Sequence, residues 1–160
     1  MRQFAEGDLA RRVAETLRTL NFDPKQLVLE VTEGVVIENV DVALRTLADL
    51  RSLGVRIFMD DFGSGYSSLG YLDRLALDGI KIDRTFVSQM CVGERPLQLV
   101  NTIISLIRNL GFLPIAEGVE TDEQLRLLRD MGCVYAQGFL FSKAVPADAI
   151  AKLLKVRVRW

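Results

Sequence analysis

Leu50-Arg-Ser-Leu-Gly54-Val55 returns as Ile107-Arg-Asn-Leu-Gly111-Phe112 and again as Leu128-Arg-Asp-Met-Gly132-Cys133. Each copy puts an Arg in the last turn of a segment with helical apolar spacing. A Gly follows where a left-handed residue closes a helix, and an apolar run starts at once. The segments ahead of the copies keep the helical period: Leu44, Leu47, Ala48; Val100, Ile103, Ile104, Ile107; Leu125, Leu128, Met131. Thr121 with Gln124 three residues on adds a capping box to the third helix. The recurring pattern is a helix-to-strand joint. The apolar runs at residues 27–31, 55–59, 80–82, 112–116 and 134–136 are too short for helices. They read as strands covered on both faces. Strand and helix alternate from about residue 27 to 156, which predicts βα units on a parallel sheet. A further helix is expected at about residues 8–20, where Leu9, Val13, Leu17 and Leu20 form one stripe.

Two architectures fit this order, an open doubly wound sheet or a (β/α) barrel. Neither a GxGxxG nor a GxxxxGK[ST] turn follows the first strand, which leaves the doubly wound reading without its usual phosphate turn. A full barrel takes roughly 250 residues. With about five units in 160 residues, a barrel here is an incomplete one. Four prolines and no Ser/Gly-rich tract leave no linker, so residues 1–160 read as one domain.

Composition excludes several classes. Hydrophobic residues make up 49% of the chain and charged residues 26%, as in a globular protein with a real core. Lys+Arg 20 against Asp+Glu 21 leaves no basic surplus for a nucleic acid polymer or an anionic membrane. The absence of histidine removes Ser-His-Asp and Cys-His sites, imidazole zinc sites and histidine switches. Cys91 and Cys133 match no CxxC spacing and read as buried free thiols in a reducing cytoplasm. No membrane segment and no signal sequence are read, so the expected location is cytoplasmic.

The chemistry lies where the strands end. Glu30 and Glu33 close the first, Asp60-Asp61 the second, Lys81 and Asp83 the third; Glu117 and Glu120 follow the fourth and Gln137 the fifth. In parallel α/β proteins these ends share one rim, where sites form. Singly, Glu33 or Asp83 reads as a helix-capping or first-turn acid, and Glu120 as a capping residue before Thr121. Five polar strand ends after apolar strands point to a site. Adjacent acids such as Asp60-Asp61 repel unless a cation sits with them. Glu30, Asp60, Asp61 and Glu117 form an all-oxygen set suited to Mg²⁺ or Mn²⁺ and to a two-metal centre for phosphoryl displacement. Lys81 is placed to hold the attacking water or balance developing charge.

These motifs resemble the EAL family of cyclic di-GMP phosphodiesterases. The matches are Glu30-Val-Thr-Glu33, Asp60-Asp-Phe-Gly-Ser-Gly-Tyr-Ser-Ser-Leu69, Lys81-Ile-Asp83, Ala116-Glu-Gly-Val-Glu120 and Gln137-Gly138-Phe139, over roughly residues 2–153. The resemblance implies a (β/α)8 TIM-type barrel that hydrolyses cyclic di-GMP to the linear dinucleotide with Mg²⁺ or Mn²⁺. It implies Glu30 and Asp60 as ligands of a first metal and Asp61 of a second. Lys81 would position the attacking water, Glu117 act as ligand or base, and Gln137 help hold that water. Glu33 would anchor the loop after Asp61, and Glu120 would lie near substrate. Ser64 stands where the family usually has Thr.

The chain departs from the family at its start. The name-giving Glu-Ala-Leu motif, whose Glu binds metal, is absent, as is the Asn of the Val-Asn-x-Ser segment; Arg2-Gln3-Phe4 resembles the tail of that segment. The expectation is an N-terminally truncated barrel lacking two metal ligands and its first strands. It would be impaired alone, and a homo-oligomer or a partner chain would complete it. The alternative is a catalytically degenerate module that binds cyclic di-GMP or serves regulation or dimerisation.

Overall fold

The three glycine joints close their helices as their sequence demands, with Gly54, Gly111 and Gly132 at φ 90°, 82° and 80°. The Ile107 carbonyl accepts from the Phe112 N–H at 3.0 Å and the Arg108 carbonyl from the Gly111 N–H at 2.9 Å. Leu128 and Arg129 repeat the pair with Cys133 and Gly132 at 2.9 and 2.8 Å. These are Schellman closures. A fourth copy was concealed by its residue type. In Leu17-Arg-Thr-Leu-Asn21-Phe22 an Asn takes the glycine's place at φ 50°, and the Phe22 N–H donates to the Leu17 carbonyl at 3.0 Å. Asn is the other residue that tolerates this region.

The computed structural model describes residues 7–63 and 69–155. In chain order they form α1 (Leu9–Thr19), a 3-10 turn (Pro24–Gln26), β1 (Val28–Thr32), α2 (Glu33–Glu38), α3 (Val40–Ser52), β2 (Arg56–Phe62) and a 3-10 segment (Leu69–Arg74). There follow β3 (Gly79–Ile82), α4 (Arg84–Gln89), α5 (Glu94–Asn109), β4 (Leu113–Ala116), α6 (Asp122–Asp130), β5 (Tyr135–Ala136) and α7 (Ala147–Leu153).

All strand pairs are parallel, and the sheet order is β1-β2-β3-β4-β5. A doubly wound sheet reverses its strand order at a switch point. Here each strand joins beside its predecessor, which builds the arc of a barrel. The fold is α/β, a partial TIM-type barrel. Its core lies between sheet and helices: Ile57, Met59, Ile80, Ile82 and Ala116 cluster with Leu47, Leu50, Val87, Ile104, Ile107 and Leu128. Burial on both strand faces holds for β3, all four residues of which are buried. It fails for β1 and β2, whose alternate residues are half-buried or exposed. β1 is a sheet edge among the described residues, so its inner face lacks a neighbour on one side.

Three expectations are corrected. Leu20 caps α1 instead of extending its apolar stripe and is 69% exposed. Cys91 is exposed, and Cys133 alone is buried. β2 runs to Phe62, beyond the expected end at residue 59, because its ladder with β3 resumes past an irregularity that the apolar run could not announce. Arg2-Gln3-Phe4, and Ser64 with the rest of residues 64–68, lie outside the described residues.

One glycine fixes two rim loops together. A Cβ on Gly138 would lie 2.1 Å from the Val119 carbonyl oxygen and 2.3 Å from its nitrogen. The Val119 N–H donates to the Gln137 carbonyl at 3.1 Å, and the Leu140 N–H to the Val119 carbonyl at 3.0 Å. Backbone cannot yield as a side chain can. Gly138→Ala is expected to destabilise by about 1–3 kcal/mol, read as a Tm several degrees lower in a thermal melt. A wild-type Tm would show that the two loops do not depend on this contact.

Candidate active site

Met59 faces Ile80 and Phe62 faces Ile82, so Asp60 and Asp61 together stand against Lys81. In an unbroken strand adjacent side chains point to opposite faces. The bulge, with Asp61 at φ 55°, removes that alternation, and bulges recur beside active sites for this purpose. Ligand atoms of Asp60, Asp61 and Glu117 lie within 4.8 Å of one another. The Asp61 N–H donates to Asp60 Oδ1 at 3.0 Å, which holds the bend. Beyond it, Glu33 at the start of α2 is buried, and its Oε2 accepts the Gly63 N–H at 3.0 Å. Gly63 has φ 92°, and a Cβ there would meet the Phe86 ring at 2.7 Å.

Lys81 is 5% exposed. Its Nζ lies 2.7 Å from Glu117 Oε1, 3.0 Å from Glu30 Oε2 and 3.1 Å from Asp60 Oδ1. Burial alone would lower its pKa. Hydrogen bonds to Glu117, Glu30 and Asp60 outweigh that and hold it above the ordinary lysine value, so it stays charged. Glu117 Oε1 also accepts from Gln137 Nε2. Glu117 and Asp60 thus each spend one carboxylate oxygen on Lys81 and keep the other. Burial pushes the Glu117 carboxyl up; Lys81 opposes this, and Asp60 and Asp61 add to it. Burial raises Asp61 as well, followed by the charges of Asp60 and Asp83.

The 117–121 turn is tied from beneath. Gln124 Oε1 accepts the N–H groups of Glu120 and Thr121 at 2.8 and 3.1 Å, and Thr121 Oγ1 accepts the Gln124 N–H at 3.2 Å. This is the predicted capping box. Gln124 Nε2 reaches the Val87 carbonyl of α4 at 3.3 Å, so the turn is fixed to the helix after Lys81.

The structure therefore brings Glu30, Asp60, Asp61, Lys81, Glu117 and Gln137 together on one rim. Glu30 lies outside the close acid trio, with its side chain 46% exposed. Glu33 is both a first-turn acid and a loop anchor. Asp83 is a capping residue, accepting from the Thr85 N–H at 2.8 Å. Glu120 is exposed beside the site. Sequence reasoning passed over Gln124 as a brace; the signal available was the capping box itself. The donor set is all oxygen and lies in a chain without histidine, which fits a hard divalent cation.

Fold and rim together define a (β/α)-barrel protein with a carboxylate-rich centre at the C-terminal strand ends. The EAL domain family matches residues 1–144, and the chain belongs to that family. Cyclic di-GMP phosphodiesterase NbdA of Pseudomonas aeruginosa is 43% identical over 129 residues, 81% of this chain and 16% of NbdA. The solved PaMucR phosphodiesterase in a c-di-GMP complex is 40% identical. It has a TM-score of 0.87 over 92% of this chain and 60% of that one. Klebsiella pneumoniae BlrP1, solved as a manganese and cyclic di-GMP complex, is 35% identical. Its TM-score is 0.78 over 85% of this chain and 35% of that one. The chain spans about a fifth of the length of the curated relatives it matches. Among the described residues no helix is long and apolar enough to cross a membrane.

Proposed function

We propose that this rim is the reaction centre of a cyclic di-GMP phosphodiesterase, yielding the linear dinucleotide with Mg²⁺ or Mn²⁺. The observation that carries the reading is the buried Lys81 clasped by Glu30, Asp60 and Glu117, with Asp61 swung beside them by the bulge. Asp60 and Asp61, joined by Glu30, would hold the cation, with Glu117 beside them as the base. A bound cation supplies positive charge against that developing on the scissile phosphodiester. Lys81 holds the acids in register and positions the attacking water. Glu117, held by Lys81 and Gln137, takes the water's proton on its free Oε2. The water oxygen bonds to phosphorus as one ring P–O bond breaks, and the sugar oxygen that leaves gains the proton. Glu33 keeps the bulge in place, and Glu120 lines the approach.

The 160 residues contain no Glu-Ala-Leu motif, so the chain alone is expected to bind metal weakly and turn over slowly. A second reading is a module that binds cyclic di-GMP without hydrolysis. β1 pairs on one side only among the described residues, which suits a second copy or partner chain completing the barrel. Chromatography of cyclic di-GMP incubated with the chain separates the readings. Slow formation of linear dinucleotide that needs Mn²⁺ and stops with EDTA supports the enzyme; tight binding with the ligand returned intact supports the module.

The acids also predict a pH dependence. Glu117 and Asp61 carry raised pKa values in the folded chain, so the folded state holds protons that the unfolded state releases. Their contribution to stability therefore falls as pH climbs through the window just above ordinary carboxylate values. A cation among these oxygens favours the ionised acids and reverses the loss. Mn²⁺ is expected to raise Tm more at pH 7 than at pH 5, where protons compete. Equal shifts at the two pH values would contradict this.

A further inference from the structure

Beside the reaction centre lies a cavity of about 570 Å³ whose lining includes Arg84, Glu117, Glu120, Gln137, Phe139 and Ser142. It shares Glu117 and Gln137 with the centre, so a ligand reacting there extends into it. Arg84 is the cation among those that line it. The root of Arg84 is clamped against the 117–120 turn: Gly118 has φ 68°, and a Cβ there would come 2.6 Å from Arg84 Cβ and 3.4 Å from its Cα. Glycine at 118 thus lets the turn seat directly on Arg84. Arg84 is an exposed residue and makes no ion pair among the described residues, although Glu117 and Glu120 border the same space. Lys81, by contrast, is fully engaged by three carboxylates. Lys143 lies over the Phe139 ring, 5.6 Å from its centroid.

Resting on the phosphodiesterase reading above, we propose that Arg84 binds the phosphate of the cyclic dinucleotide that is not being cleaved. The ligand is a dianion. One phosphate meets the acid-rich centre, and the second needs a counter-charge on the cavity wall. A planar guanidinium presents paired N–H donors matched to two phosphate oxygens. Arg84 is therefore a substrate-binding residue outside the chemistry, and its loss affects affinity and KM more than kcat.

The test is calorimetric titration of cyclic di-GMP into the 160-residue chain in Mn²⁺, at two NaCl concentrations. Wild type is compared with Arg84→Gln, Arg84→Lys and, as control, Lys143→Gln. Arg84→Gln is expected to weaken binding about ten-fold or more and to flatten the salt dependence. Arg84→Lys should recover part of both, and Lys143→Gln should bind as wild type. Unchanged affinity in Arg84→Gln, or an equal loss in Lys143→Gln, would overturn the assignment while leaving the functional reading intact. Weakened affinity with unaltered salt dependence would overturn the phosphate contact in favour of a neutral one to the base. A wild-type chain that does not bind the dinucleotide would overturn the functional reading and this inference with it.

Discussion

Lys81→Met is expected to lower cyclic di-GMP turnover at least about 100-fold and to destabilise the chain by about 3–5 kcal/mol near neutral pH. Methionine matches the length of the lysine stem and removes the charge. Glu30, Asp60 and Glu117, each within 3.1 Å of the lost Nζ, then face one another with nothing between them. Like charges then repel at close range, so the deficit is largest where carboxylates are ionised and shrinks in acid. Lys81→Arg does not rescue this, because a fork of five donors cannot replace a point charge that is 5% exposed. Melts of wild type and Lys81→Met from pH 4 to pH 8 check the sign: the gap in Tm should widen as pH rises. A gap that stays constant would show that the carboxylates do not depend on the lysine.

The second large effect is expected at Glu33, the buried acid that anchors the chain beyond the bulge. Glu33→Ala leaves the Gly63 N–H without its acceptor and empties a site that is 2% exposed. About 2–3 kcal/mol of stability is expected to go, and turnover to fall more than ten-fold, because Asp61 holds φ 55° only while the chain beyond it is pinned. Glu33→Gln keeps an acceptor oxygen at the same reach and should retain most of the stability. Equal turnover in wild type and Glu33→Ala, measured in one assay, would show that the bulge needs no anchor.

The part of the fold carried by local chemistry was legible in the sequence. Gly54, Gly111 and Gly132 each mark a left-handed closure that few residues other than Gly adopt easily, so a pattern of Arg and Gly locates three joints. Asn21 does the same work and was missed, because Asn has many other uses. Alternation alone could not separate barrel from doubly wound sheet, since both require it; the motifs shared with the EAL family pointed to the barrel, and the strand order agrees.

The site divides in the same way. Charged residues after apolar strands announced Glu30, Asp60, Lys81 and Glu117, and the structure places them within reach of one another. The bulge could not be read from Asp60-Asp61, since it exists only relative to β3. Gln124 was visible as a cap and hidden as a brace, because its bond to Val87 crosses 37 residues of chain.

The central claim is that this rim cleaves cyclic di-GMP. It is tested most directly by rate measurements on the chain alone, on a chimera, and on the chimera carrying Glu117→Gln. The chimera places a Glu-Ala-Leu-bearing segment from an EAL relative ahead of residue 1. The account predicts slow formation of linear dinucleotide by the chain alone and Mn²⁺-dependent turnover by the chimera, lost with Glu117→Gln and with EDTA. A chimera that folds and binds the cyclic dinucleotide yet never cleaves it, or one that cleaves it equally well with Glu117→Gln, would contradict the account.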